Sequence, residues 1–518
     1  MMHNDLKLLD CTLRDGGYIN DWHWGYHQAR AIIRFLTKAK MDFVEVGFLR
    51  NVDNYDEDVT VCNTIEELNR LLPKNPGNTV YTAMAMQSNY DINKLSEYSG
   101  TGIEMIRVTA HDYDIVEGMG FAQTVKDKGY KLSINPINIM GYTDEKILWI
   151  IEQVNKIQPY QFSIVDTFGS MKRRDLDRIV SLVDNNLNKN IRVALHLHEN
   201  MALSCSLAQK FVDKHLARPV AIDGSLMGMG RIPGNLPIEL IADYCNEYMD
   251  KVYDIDFLLD AIQEYIAPIK GKTEWGYTPA YFLSARFNVH RNYAEYYLQK
   301  GDLTHRDMDH ILAGYDRSKA TAFDEEYAEL KYNEYKNQVI DDKEDFQYLQ
   351  HILREKKILV LAPGSSIRSE KNYISDYIAK EQVVTIAVNF VPEDFEADYI
   401  FFSNSKRFSQ AADTAANLII TSNIETDKKA IKLNYNVLSS SFDQGCNSMV
   451  MLIKLLKDIG VSEIAVAGAD GYVEGERNYY KTSLRSTAER SGNYNVAVHN
   501  AIHRIGMKVN FITRSLYE

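Results

Sequence analysis

The sequence predicts an α/β protein with two parts: an N-terminal (β/α)8 TIM barrel carrying a helical extension, then a C-terminal Rossmann-like α/β domain. Three observations carry that prediction. Up to about residue 250, short apolar runs recur at intervals of roughly thirty residues, each followed by a longer stretch with helical periodicity. From about 253 to 345 the pattern is helical only, and past it strands and helices alternate again. A chain of 518 residues is long enough for two or three cores of ordinary domain size.

The first eight apolar runs lie at 6–11, 42–48, 78–84, 103–109, 130–136, 161–167, 191–198 and 219–226. Helical patterns, apolar at i, i+3, i+4 and i+7, fill 31–40, 115–128, 145–156, 174–187 and 203–216. A doubly wound sheet uses the same alternation, but eight units within 1–252 match the size of a closed barrel. In a barrel, chemistry sits where strands end, so polar residues just after the strands are the first candidates. The segment 253–345 reads as helices at 257–265, 281–297, 305–313 and 324–338, an oligomerisation or lid element that makes a homo-oligomer the expectation. It closes in a charged, poorly patterned link at 341–345. Residues 346–518 give strands at 357–361, 383–389, 399–403, 417–421 and 463–468, with a helix at 448–459.

Composition sets outer limits. At 45% apolar and 25% charged residues, the chain is neither disordered nor fibrous. No apolar run approaches the ~20 residues that cross a bilayer, and the start, Met1 to Asp5, lacks a signal-peptide pattern. Five cysteines (Cys11, Cys62, Cys205, Cys245, Cys446) without a CxxC pair read as reduced thiols, so a cytoplasmic protein is expected. The net charge of −13 argues against a nucleic-acid partner, yet leaves anionic small molecules open, because local cations can capture them.

The first strand ends in Asp10-Cys11-Thr12-Leu13-Arg14-Asp15-Gly16-Gly17, a cation beside a hard metal ligand before a glycine turn. The seventh ends in His196-Leu197-His198-Glu199-Asn200; histidines at i and i+2 of a strand share a side. Strands one and seven are near neighbours around a closed barrel. One carboxylate and two imidazoles then suit a divalent cation with open positions for substrate oxygens.

These residues, with Val44-Glu45-Val46-Gly47-Phe48, Asp166-Thr167-Phe168-Gly169 and the loop Gly228-Met229-Gly230-Arg231-Ile232-Pro233-Gly234-Asn235, resemble the metal-dependent aldolase and acyl-transferase barrels. That superfamily includes 4-hydroxy-2-oxovalerate aldolase, hydroxymethylglutaryl-CoA lyase, and isopropylmalate and homocitrate synthases. The resemblance covers about residues 5–285. It implies Asp15, His196 and His198 as ligands of Mn2+, Mg2+, Co2+ or Zn2+, with Asn235 as a further one. It implies that Arg14 stabilises an enolate oxygen, that Glu45 holds Arg14 or a metal water, and that Asp166 and Thr167 line the substrate pocket. The implied substrates are a 2-oxo acid and an aldehyde. Two departures stand out. Tyr18 replaces the family's acid–base histidine, leaving Tyr18, His23, His111 or a metal-bound water to move the proton. The glycine loop also lacks the lyases' cysteine. Claisen condensation of an acyl-CoA with a 2-oxo acid, or a metal-binding scaffold without catalysis, remain alternatives.

In the last part, Ala362-Pro363-Gly364-Ser365-Ser366 follows a strand and opens a helix, where backbone N–H groups can seat phosphate. With Asn389, Gln444-Gly445-Cys446-Asn447-Ser448 and Gly468-Ala469-Asp470, this order resembles Rossmann-like domains of the Maf and sialyltransferase-like group. That resemblance covers about 355–515 and implies a nucleotide or nucleotide sugar held by Gly364, Ser365, Asn389 and Asp470.

Overall fold

The computed structural model describes residues 5–410, 414, 416–440, 447–473, 478–481 and 493–518. The Gln444-Gly445-Cys446 segment lies outside the described residues. The chain divides into two compact units, 1–291 with 317–322, and 292–316 with 323–518. The helical stretch 253–345 is therefore shared between them.

In the first unit eight parallel strands close on themselves: β1 Leu6–Asp10, β2 Phe43–Leu49, β3 Val80–Met86, β4 Met105–Ala110, β5 Lys131–Pro136, β6 Gln161–Asp166, β7 Arg192–Leu197 and β8 Val220–Gly224. β1 pairs with both β2 and β8, which makes the sheet a barrel rather than an open doubly wound sheet. A two-residue strand, Val61–Cys62, adds to β2. The strands are buried on both faces, which is why they read as continuous apolar runs. Side chains alternate. Leu8 and Val44 join the layer beneath the surrounding helices, whereas Leu9, Phe43, Met105, Ala194 and Ala221 form a separate inner cluster. Two positions further along the same parity come Cys11, Glu45, Arg107, His196 and Asp223, so the inner layer nearest the strand ends is polar.

The helical layer is less regular than eight equal units. Between β3 and β4 there are only 3-10 turns, at Gln87–Asn89 and Ile92–Lys94, and the helix after β2 is the five-residue Ile65–Asn69. The polar stretch 87–101 has no apolar stripe to pack as a longer helix.

Among the described residues the second unit holds seven parallel strands: β9 Ile358–Leu361, β10 Val384–Val388, β11 Tyr399–Phe402, β12 Asn417–Thr421, β13 Ile431–Leu433, β14 Glu463–Ala467 and β15 Lys508–Phe511. Their order is β13-β12-β11-β10-β9-β14-β15, so the winding direction changes at β9. Val360, Ile386 and Phe401 pack into one core and Leu361, Ala387 and Phe402 into another, so both faces are covered. The edge strands β13 and β15 were not expected. Nor was the charged link a link: Lys343–Leu353 is a helix. Its acids have a definite use, since Asp345 accepts from the Lys432 N–H (2.8 Å) and Asp342 from the Asn434 N–H (2.9 Å), satisfying donors of edge strand β13. Among the described residues, no helix is long and apolar enough to cross a membrane.

Candidate metal and substrate site

After β1 the backbone turns at once: the Asp15 and Arg14 N–H groups both donate to the Cys11 carbonyl, at 2.8 and 3.2 Å. Two indoles lock that turn. Trp22 Nε1 donates to the Arg14 carbonyl (2.6 Å) and Trp24 Nε1 to that of Leu13 (3.1 Å). Gly17 is explained by the first of them, because a Cβ there would lie 2.1 Å from the Trp22 ring.

Asp15 thereby faces the end of β7. Its Oδ2 is 3.5 Å from His196 Nε2 and 3.9 Å from His198 Nε2, and the three ligand atoms lie within 4.8 Å of one another. Each imidazole is oriented from behind. His196 Nδ1–H donates to Asp223 (3.2 Å) and His198 Nδ1–H to the Asp166 carbonyl (2.9 Å), which leaves each Nε2 lone pair toward Asp15. Asp15 Oδ2 is buried without a hydrogen-bond partner, and so is Asn235 Oδ1. Two ligands each ~2.1 Å from one cation stand ~3–3.5 Å apart, so this set fits a divalent metal. Asn235 is brought to His198 by a β-bridge, and its amide N–H2 is directed to Met229 O and Ser225 Oγ.

Arg14 completes the corner, with Nη1 2.9 Å from Asp15 and Nε donating to Glu45 at 2.7 Å. Glu45 Oε2 also accepts from Arg107 (3.0 Å), and Arg107 pairs in turn with Asp223. Burial alone would raise the Asp15 carboxyl, but the Arg14 charge and the adjacent imidazoles outweigh it and hold it well below the usual range. Burial pushes His198 down to about 3, so it presents a neutral ligand nitrogen.

The other expected residues are placed as follows. Thr167 lines a cavity with Phe168, His198, Arg231 and Arg291, and its Oγ1 accepts from the Asn138 N–H at 2.7 Å. Asp166 serves through its carbonyl; its carboxylate accepts from the Ser170 and Met171 N–H groups (2.9 and 3.0 Å) and shapes the loop rather than the pocket. Tyr18 is 37% exposed, its hydroxyl within 3.5 Å of Arg50 Nη2 and its ring 5.8 Å from the Arg231 guanidinium. His111 stacks on Tyr113 at 4.8 Å and lies beside Asp114. Arg107, Asp223, Arg231 and His290 were missed by sequence reasoning. A lone charge inside an apolar strand, as in Met105–Ala110 and Val220–Gly224, is the signal that marks the first two.

In the second unit, Gly364, Ser365 and Asp470 come together where β9 and β14 end, but as a closed set. Asp470 accepts from Ser365 Oγ (2.7 Å), the Ser366 N–H (2.8 Å) and Ser366 Oγ. A carboxylate thus occupies the seat expected for phosphate, at a helix of four residues, Ser366–Ser369. Asn389 bonds elsewhere, to Ser448 Oγ and the Ser403 N–H.

Residues 5–257 match the HMGL-like family model. The chain is 24% identical over 262 residues to the oxaloacetate decarboxylase of Mycobacterium tuberculosis, spanning 50% of this chain and 76% of that protein. It is 25% identical over 273 residues to the 4-hydroxy-2-oxovalerate aldolase of Thermomicrobium roseum, spanning 51% and 73%. Among solved structures, the Bacillus subtilis HMG-CoA lyase is similar at 14% identity and a TM-score of 0.43, over 53% of this chain and 96% of that one.

Proposed function

We propose that the barrel is a divalent-metal-dependent aldolase that makes or breaks the carbon–carbon bond beside a 2-oxo acid. The carrying observation is the buried, unpartnered Asp15 Oδ2 facing two oriented imidazoles, with the Arg14 guanidinium 2.9 Å from the same carboxylate. A divalent ion held by Asp15, His196 and His198, with Asn235 as a further ligand, supplies Lewis-acid polarisation of the ketone oxygen when bound.

Arg14 donates to the oxygen on which enolate charge develops, and its fixed bond to Glu45 means that it need not reorganise as that charge appears. In cleavage of a 4-hydroxy-2-oxo acid, the hydroxyl proton passes to Tyr18 and the C3–C4 bond breaks. The aldehyde leaves, the electron pair becomes the enolate, and a proton returned to C3 gives the shorter 2-oxo acid. Tyr18 sits three residues beyond Asp15 with Arg50 at its hydroxyl. Loss of carbon dioxide from a 3-carboxylated 2-oxo acid, the reaction named for the Mycobacterium tuberculosis relative, passes through the same enolate.

The second unit, with parallel strands that change direction at β9, supports a Rossmann-like reading. The Asp470 carboxylate at its Gly-Ser-Ser turn opposes a nucleotide phosphate there by sign of charge.

The test is exchange of the C3 protons of pyruvate with solvent deuterium, followed by NMR with Mn2+ or Mg2+ supplied. Exchange should need the metal and fall at least ~100-fold in Arg14→Ala, the usual effect of removing one such donor. Exchange near the parental rate in that variant, or none in the metal-loaded protein, refutes the assignment.

A further inference from the structure

The metal corner and Arg14 already answer the two charges of a 2-oxo acid, its carboxylate and its developing enolate. The cavity beside His198 carries two more guanidiniums, those of Arg231 and Arg291. Building on the aldolase reading, we propose that Arg231, with Arg291, binds an anionic group on the aldehyde partner, so that the second substrate is a carboxylated or phosphorylated aldehyde rather than a simple alkyl one.

Arg231 is not a loose surface arginine. It rides on the Gly228–Asn235 loop, which is folded back on itself by the Asn235 N–H donating to the Gly228 carbonyl (2.9 Å). Gly234, at φ 107°, would bring a Cβ within 2.4 Å of that same carbonyl, so only glycine lets the loop close this tightly. The loop is tied down from outside by Trp275 Nε1 donating to the Met227 carbonyl (2.9 Å) and by the Gly276 N–H donating to that of Pro233 (2.7 Å). The guanidinium itself donates to His290 Nε2 at 2.5 Å, and the Tyr18 ring lies 5.8 Å from it on the side of the proposed proton carrier. Phe168 packs edge-on to His290 at 5.9 Å and also lines the cavity.

His290 orients Arg231 without competing for the anion. Burial first, and then the Arg231 charge, push it down to about 3, so it is a neutral acceptor at working pH. The positive charge in this cavity is therefore carried by the two arginines, whose planar forks match the paired oxygens of carboxylate or phosphate. His198, a ligand in the metal corner, lines the same cavity.

The experiment compares kcat/KM for condensation of pyruvate with three aldehydes: butanal, succinic semialdehyde and glycolaldehyde phosphate. The expected result is a preference for one or both anionic aldehydes over butanal of ~10- to 100-fold, from charge-assisted hydrogen bonds. Whichever anion leads identifies the group. In Arg231→Met the preference should collapse through KM for the anionic aldehyde, with partial return in Arg231→Lys. The butanal rate within each variant is the internal control for folding. Three results overturn the proposal: no preference in the parent protein, a preference for butanal, or an Arg231→Met loss equal for all three aldehydes, which would mark a structural role or a contact to pyruvate itself. Pyruvate exchange measured alongside separates the two readings. Exchange without aldehyde preference sinks this inference alone; no exchange sinks the aldolase reading and this one with it.

Discussion

Arg107→Met removes the one cation that Glu45 and Asp223 share. Arg107 is 1% exposed, donates to Glu45 at 3.0 Å and pairs with Asp223. After the substitution, Glu45 keeps Arg14 at 2.7 Å and Asp223 keeps His196 at 3.2 Å, while Glu45 Oε1 and Asp223 Oδ1 already lack partners. Taking one member from a buried ion pair costs ~3–5 kcal/mol, because the other charge stays behind in a low dielectric. Here two carboxylates each lose one of their cationic partners, so a loss of about 3–5 kcal/mol from the barrel is expected. The four tryptophans, Trp22, Trp24, Trp149 and Trp275, all lie in the first unit, so their fluorescence in urea reports that unit's unfolding. The triple change Arg107→Met, Glu45→Gln and Asp223→Asn removes the stranded charges and should regain at least half of the loss. A single variant within ~1 kcal/mol of the parent, or a triple variant no better than the single, refutes a network held together by charge.

Two further tests address the scaffold around the sites. Burial pushes the Asp10 carboxyl up to about 7, against hydrogen bonds from Thr12 that lower it. A folded-state pKa above the unfolded one gives stability that is present below about pH 4 and lost as pH rises through about 7. Asp10→Asn should therefore gain on the parent between pH 5 and pH 8, by up to ~3–4 kcal/mol, in tryptophan-monitored urea unfolding; a gap that stays constant with pH contradicts the assignment. In the second unit, Gly468 has φ 76° and a Cβ there would sit 2.0 Å from the Ala362 carbonyl. Gly468→Ala should cost ~2 kcal/mol or more, read as a lowered midpoint in far-UV circular dichroism melting, and an unchanged midpoint counts against the packing described for β9 and β14.

What could be read from the sequence was what a single segment carries by itself. Barrel strands such as Arg192–Leu197 are buried on both faces and so are written as unbroken apolar runs. Asp15, His196 and His198 were legible because they follow strand ends at a spacing that few structural roles require. Arg107 and Asp223 were not, since each is one charge in an otherwise apolar strand, and its partner exists only once β4, β2 and β8 meet inside the barrel. The edge strands Ile431–Leu433 and Lys508–Phe511 are half-exposed, so they lack the apolar run that betrays their neighbours. The Asp470 carboxylate at the Gly364–Ser366 turn was hidden for the same reason: a glycine-serine turn looks alike whether its N–H groups await a ligand's anion or are met by one a hundred residues away.

That contrast also explains how a chain of net charge −13 would hold the anionic substrates proposed for it. Beyond ~8 Å charges are screened by physiological salt, so acidity spread over the surface contributes little inside the barrel mouth. At 4 Å and an effective dielectric near 20, one guanidinium contributes ~4 kcal/mol. The decision is therefore local. Glu45 and Asp223 lie in the inner layer, where Arg107 neutralises them and Asp15 is left to face a cation. Arg231, in the Gly228–Asn235 loop, and Arg291, at the start of the helix Arg291–Lys300, line one cavity with His198. A carboxylate among those arginines would repel an anionic substrate; the local pairing of signs around the site, more than their sum over the chain, is what the proposed chemistry requires.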